Sequence, residues 1–217
     1  MQSAGSALSP RVQEFLQHMR PVRARVILAI DATASRQPTW DLAAKLTGEM
    51  FGAAASLGAL DIQLTYYRGW GECVSSRWMS DAHALATVMS AVACRAGETQ
   101  IGKVLAHARK TNQQQKVDAL IMISDACEEV PADLYGEARE LGVPVFLFQE
   151  GCDPHVAKVY AEIARLSGGA HVEFNASSAR RLAELLRAVV AFATGGAKAL
   201  AAQKTQAAQL LLGQIKS

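Results

Sequence analysis

Short, wholly apolar runs alternate with stretches of helical period along this chain, and that alternation predicts an α/β fold. Residues 26–30 are all apolar and end on Asp31, as a buried parallel strand would. A helical pattern follows over 38–57, with Leu42, Leu46, Met50 and Phe51 along one face. Ile62, Leu64 and Tyr66 then alternate with polar residues, Gly69-Trp70-Gly71 supplies a turn, and residues 73–78 return. This pair predicts a β-hairpin that places one antiparallel strand at a sheet edge. Ser80 is the expected N-cap of a helix reaching Cys94, and a second helix is expected over 101–110. Residues 119–124 form another apolar run, again ending on an aspartate, Asp125. Pro131 opens a helix that closes at Gly142, 145–148 form a strand, and a helix over 155–166 ends at Gly168-Gly169. A short strand over 171–174 and a helix over 179–193 complete the pattern.

The expected architecture is a doubly wound domain over 23–194, with a mainly parallel central sheet flanked by helices. An N-terminal extension, 1–22, is expected to carry a short helix over 9–20, with Val12, Phe15, Leu16 and Met19 on one side. A helical tail, 195–217, follows Gly195-Gly196 and aligns Leu200, Ala207, Leu210, Leu211 and Ile215. Packing of that stripe back onto the domain is the first expectation, and docking on a partner helix the second.

Composition narrows the picture. With 217 residues, 50% apolar and only 6% aromatic, the core must be mostly Ala, Val, Leu and Ile. A net charge of +2 gives no electrostatic reason to expect nucleic acid or a membrane as partner. Cys73, Cys94, Cys127 and Cys152 show no CxxC spacing and read as reduced thiols. The first ten residues contain no apolar leader, so a bacterial cytoplasmic setting is expected.

The chemistry lies at the strand ends. Ligands of open α/β sheets bind beyond the carboxyl ends of strands, where the strand order reverses. Asp31 and Asp125 are both placed there, and two converging carboxylates repel unless something positive lies between them. A hard divalent cation is the simplest such group, because it prefers oxygen ligands. Thr33 and Ser35 add hydroxyls two and four positions after Asp31.

Asp31-Ala32-Thr33-Ala34-Ser35 resembles the Asp-x-Ser-x-Ser signature of the metal-ion-dependent adhesion site of von Willebrand A domains. Gly97-Glu98-Thr99-Gln100-Ile101-Gly102 is similar to that family's second segment, where a threonine precedes a helix. Ile123-Ser124-Asp125-Ala126 resembles the third, an aspartate at the end of the fourth strand. The resemblance covers residues 23–193. It implies that Thr33 and Ser35 ligate the metal directly, Thr99 directly or through water, and that Asp31 and Asp125 act largely through coordinated waters. Thr33 in place of the commoner serine, and Ala126 in place of a frequent glycine, depart from the pattern without removing an oxygen. The implied cofactor is Mg²⁺, with Mn²⁺ or Ca²⁺ as options. The implied function is non-catalytic protein binding, in which a partner's acidic side chain completes the coordination. Cytoplasmic bacterial relatives often act as adaptors in larger assemblies, including those with AAA+ ATPases.

Two other readings stand beside it. A haloacid-dehalogenase-like phosphoryl-transfer enzyme also places an aspartate after its first strand, but wants a second acid where Thr33 stands. A structural scaffold with an inactive metal site would leave interaction to the terminal helices. Glu128 and Glu129 read first as solvated acids ahead of Pro131, and second as a rim of the metal face. Cys127 reads as a partly buried loop thiol. Trp40, Trp70 and Trp78 read as core or hairpin packing, with exposure in the Gly-rich turn open for Trp70. The scattered histidines offer no zinc spacing.

Overall fold

Every residue of β1 (Ala24–Asp31) except Arg25 is buried, because this strand lies in the middle of a sheet covered on both faces. The computed structural model describes residues 23–34, 37, 40, 41, 45, 60–175 and 179–215. The expected helix over 9–20 and most of that over 38–57 lie outside the described residues. Within the latter range Trp40, Asp41 and Lys45 are helical.

After β1 the described elements are β2 (Leu60–Arg68), β3 (Glu72–Ser75), α1 (Ala82–Ser90), α2 (Ile101–Gln114), β4 (Ala119–Ser124) and α3 (Pro131–Glu140). They are followed by β5 (Val145–Glu150), α4 (Pro154–Ser167), β6 (Ala170–Phe174), α5 (Ala179–Ala202) and α6 (Gln206–Leu212). The six strands lie in the order β3-β2-β1-β4-β5-β6. All neighbours are parallel except β2 and β3, so the expected antiparallel edge strand is present.

Alternation along the strands divides the core in two. Val26, Leu28, Ile30, Ile121, Ile123 and Phe148 face one way, toward Trp40, α1, α5 and α6. Ile27, Ala29, Leu120, Met122 and Leu147 face the other, toward α2, α3 and α4. Burial of this apolar surface, at about 25 cal/mol per Å², is the dominant stabilising term.

Some element ends differ from expectation. Asp81, not Ser80, caps α1: its carboxylate accepts from His83 N–H (3.1 Å) and Ala84 N–H (3.2 Å). That helix stops at Ser90, four residues before Cys94. Helix α5 breaks at Gly195 and Gly196, which have non-helical backbone angles. By length and composition Arg180–Ala202 could cross a membrane. Here Leu182, Leu185, Leu186 and Val189 are buried in the core that α5 shares with the sheet. Leu200, Ala207 and Leu211 of the tail stripe are buried in the same core, which places the tail on the domain.

Candidate functional site

The strand order reverses between β1 and β4, which run to the two aspartates. Asp31 is the last residue of β1 and is 1% exposed, while Asp125 follows β4 and is half-buried. A charge this deep must be hydrogen-bonded. Asp31 Oδ1 accepts from Thr33 N–H (2.8 Å), and Oδ2 accepts from Ser124 Oγ–H (3.1 Å). Ser124 in turn accepts from the Tyr67 hydroxyl (2.8 Å). Tyr67 stands opposite Asp31 in the β1–β2 register, so the sheet itself aligns this chain of donors. Burial, reinforced by the Asp31 charge, holds the Tyr67 phenol well above its ordinary pKa. Burial likewise raises Tyr160, whose hydroxyl donates to Ala126 C=O (2.7 Å) and steadies the loop carrying Asp125.

Thr99 reaches the same place from the segment before α2. Its backbone N–H donates to Glu128 Oε2 (2.7 Å), and Glu128 N–H donates back to Thr99 Oγ1 (3.0 Å). The next acid, Glu129, accepts from Ile101 N–H (2.6 Å) and Gly102 N–H (2.8 Å). These are orphan donors of the first turn of α2, whose N-cap, Gln100, makes no side-chain cap bond. Glu128 is exposed, as a solvated acid would be, and borders the same cavity, while Glu129 is half-buried; both carboxylates are also tied to backbone amides almost thirty residues away. No local periodicity signals such a link. Ser124 and Tyr67 were also missed, although a hydroxyl closing an otherwise apolar strand just before Asp125 is a readable signal.

Asp31, Thr33, Thr99, Asp125 and Glu128 border one cavity of about 250 Å³, open at the carboxyl end of the sheet. Four of the five residues expected at the metal site are thus brought together, and Ser35 lies outside the described residues. Among the described residues, no three His, Cys, Asp or Glu side chains converge as a metal-holding group. A cation here would instead rest on hydroxyls together with the Asp31 and Asp125 pair. The donor set fits one: all its side-chain donors are oxygen, as a hard cation requires. Thr99 Oγ1 keeps a lone pair after accepting from Glu128.

Cys127, close behind this loop, is buried, and that burial pushes its thiol up to about 11. That burial disfavours the thiolate, the nucleophilic form. Trp40 belongs to the core and donates Nε1–H to Met89 C=O (3.1 Å), Trp78 is half-buried, and Trp70 is 80% exposed.

No protein-family model matches the sequence, and no curated protein does. The likeness is in three dimensions. A von Willebrand factor type A protein from Catenulispora acidiphila superposes with a TM-score of 0.64 at 16% identity, over 80% of this chain and 43% of that one. The vWF domain of the type V pili tip protein Mfa5 from Porphyromonas gingivalis gives 0.59 at 12% identity, over 79% and 97%. The SpRpn10 VWA domain gives 0.58 at 11%, over 74% and 95%. The chain thus spans less than half the length of the first of these and nearly all of the other two. The six-stranded sheet, its single antiparallel edge and these superpositions together show that this chain has the von Willebrand A fold.

Proposed function

We propose that this protein is a non-catalytic binding domain that captures a partner protein through a divalent cation, Mg²⁺ in the first instance. The observation that carries the reading is the convergence of Asp31, Thr33, Thr99 and Asp125 on one open cavity at the reversal of strand order. When bound, the cation supplies an electrophilic centre for a carboxylate oxygen of the partner. The chain's own residues do the positioning. Asp31 is fixed by Thr33 N–H and Ser124, and Thr99 is locked to Glu128, so the donors need little rearrangement on binding. Thr33 stands where phosphoryl-transfer chemistry of the rival type wants a second acid, which favours binding over turnover.

A pilus adhesin, SpaC from Lactobacillus rhamnosus GG, is among the proteins that share this fold, which supports a protein-binding role here. The partner of this chain is a protein presenting an acidic side chain, and an AAA+ ATPase or another component of a bacterial cytoplasmic assembly fits that description.

Calorimetry with Mg²⁺ and Mn²⁺ on the wild type, Asp31→Asn and Asp125→Ala tests the reading. Saturable binding to the wild type, lost in both variants while far-UV circular dichroism is unchanged, is the expected result. Absence of binding to the wild type would overturn the metal claim. Metal-dependent turnover of a generic phosphate ester, abolished by Asp31→Asn, would overturn the non-catalytic one.

A further inference from the structure

Trp70 is the most exposed large apolar side chain among the described residues, yet the turn that carries it is held by hydrogen bonds to three of its carbonyls. Gly69 and Gly71 flank it with φ of +58° and +93°, a backbone path that L side chains rarely adopt. The carbonyls around it are each taken by the segment that also carries Thr99. Glu98 N–H donates to Gly69 C=O (3.3 Å), Gln100 Nε2–H to Arg68 C=O (3.3 Å), and Lys103 Nζ–H to Gly71 C=O (2.8 Å). Gly97, which lines the cavity, lies so close that a Cβ there would stand 2.2 Å from Gly69 O.

The place is fixed as well as the conformation. Tyr67 pairs with Asp31 in the β1–β2 register, so Trp70 lies three residues beyond it, at the same end of the sheet as the cavity. None of the bonds that hold the turn involves the indole, so the scaffold's effect is to present it. A backbone fixed beforehand reduces the entropy lost when the side chain it carries is covered, and tryptophan is enriched among the residues that dominate interfaces.

The surroundings select a sign of charge. Arg68 and Arg95 both pair with Glu72, the exposed Glu98 bonds to Gly69 through its backbone, and the exposed Lys103 holds Gly71, so three cations against two carboxylates leave one net positive charge around the turn.

We propose that Trp70 is a second anchor for the partner, receiving a large apolar side chain that lies within a few residues of the carboxylate taken at the cavity. The occupant is an acidic protein segment with a hydrophobic residue beside its acid. This inference rests on the metal-dependent reading above, and the test separates the two.

Random linear peptides displayed on phage are selected on the wild type, Trp70→Ala, Trp70→Phe and Thr99→Ala, with Mg²⁺ and with chelator. Far-UV circular dichroism spectra equal to wild type verify the fold of the variants. The wild type with Mg²⁺ is expected to enrich Asp or Glu next to Leu, Phe or Trp. Trp70→Ala is expected to lose the apolar preference, to keep the acidic one, and to bind the wild-type winner at least about tenfold more weakly, with Trp70→Phe in between. Identical selections by wild type and Trp70→Ala would overturn the Trp70 anchor and leave the metal reading standing. Loss of all acidic preference, indifferent to chelator and to Thr99→Ala, would overturn the metal reading itself. Self-association of the protein abolished by Trp70→Ala would assign the turn to a second copy and overturn the proposal.

Discussion

Thr99 and Glu128 hold each other reciprocally, backbone N–H to side chain in both directions, at 2.7 and 3.0 Å. The arrangement has the logic of a capping box spread over two loops, and it ties the segment before α2 to the one after β4. Each loop carries one residue of the candidate site, Thr99 on the first and Asp125 on the second.

Glu129 extends the same tie to α2. Replacing it with alanine leaves Ile101 N–H and Gly102 N–H without their acceptor at a helix start that has no cap of its own. Glu129→Ala is expected to cost about 1–2 kcal/mol of stability, and Glu129→Gln about half of that. Urea unfolding checks this, and equal midpoints for all three proteins would refute the capping role.

Gly97 and Gly136 make opposite predictions for the same substitution. A Cβ at Gly97 would meet the Gly69 backbone at 2.2 Å, and Gly69 C=O is itself tied to Glu98 N–H. Gly97→Ala is expected to destabilise by about 1–3 kcal/mol and to weaken cation binding by displacing Thr99. Gly136 lies within α3 with open space around it, so Gly136→Ala should stabilise by about 0.5–1 kcal/mol. Thermal melts of the two variants give the sign directly.

The centre of the sheet was legible in the sequence because β1 and β4 are nearly uninterrupted apolar runs, and 119–124 matches β4 at both ends, while β2 showed itself by alternation. Asp31 and Asp125 were legible because a charge that ends such a run must face a functional or solvated edge. Element ends were less so: Ser80 and Asp81 can each cap a helix, and only tertiary position selects Asp81. The roles of Glu128 and Glu129 were hidden, since their partners lie on another loop and no spacing rule spans that distance. The exposure of Trp70 stays open in the sequence, because a Gly-Trp-Gly turn fixes the backbone without saying what covers the ring.

His107 and His171 give the protein a pH dependence of defined sign. Each ring nitrogen Nε2 faces a glutamine oxygen, Gln63 at 2.7 Å and Gln149 at 2.9 Å. Each of those amides is fixed by donating to a backbone carbonyl, Ser76 and Asp153, so the imidazole must be the donor. Burial lowers both imidazole pKa values below 6.5; Lys110 adds to this at His107, and Glu173 opposes it at His171. Above that value both rings are neutral, folded or unfolded. As pH falls through it the unfolded chain takes up protons first, so stability declines until the folded values are passed. The urea midpoint should therefore fall between about pH 7.5 and about pH 5.5. His107→Gln combined with His171→Gln should flatten that slope, and an unchanged slope would rule these two groups out.

Packing of the C-terminal tail on the domain has a different energetic signature from docking on a partner. Thr205 caps α6 by accepting from Ala208 N–H (3.1 Å), and Ala207, Ala208 and Leu211 are buried. Gln214 then does what a neighbouring strand would do for the edge strand β6. Its Oε1 accepts from His171 N–H (2.9 Å) and its Nε2 donates to His171 C=O (2.8 Å). Unpaired edges invite association, and a side-chain amide here blocks one register position. Leu211→Ala is expected to cost about 2–5 kcal/mol, as for any buried leucine that leaves a cavity. Gln214→Ala should cost about 1 kcal/mol and speed hydrogen exchange at the His171 amide. If the tail's apolar stripe served a partner instead, Leu211→Ala would leave the midpoint of the isolated protein unchanged.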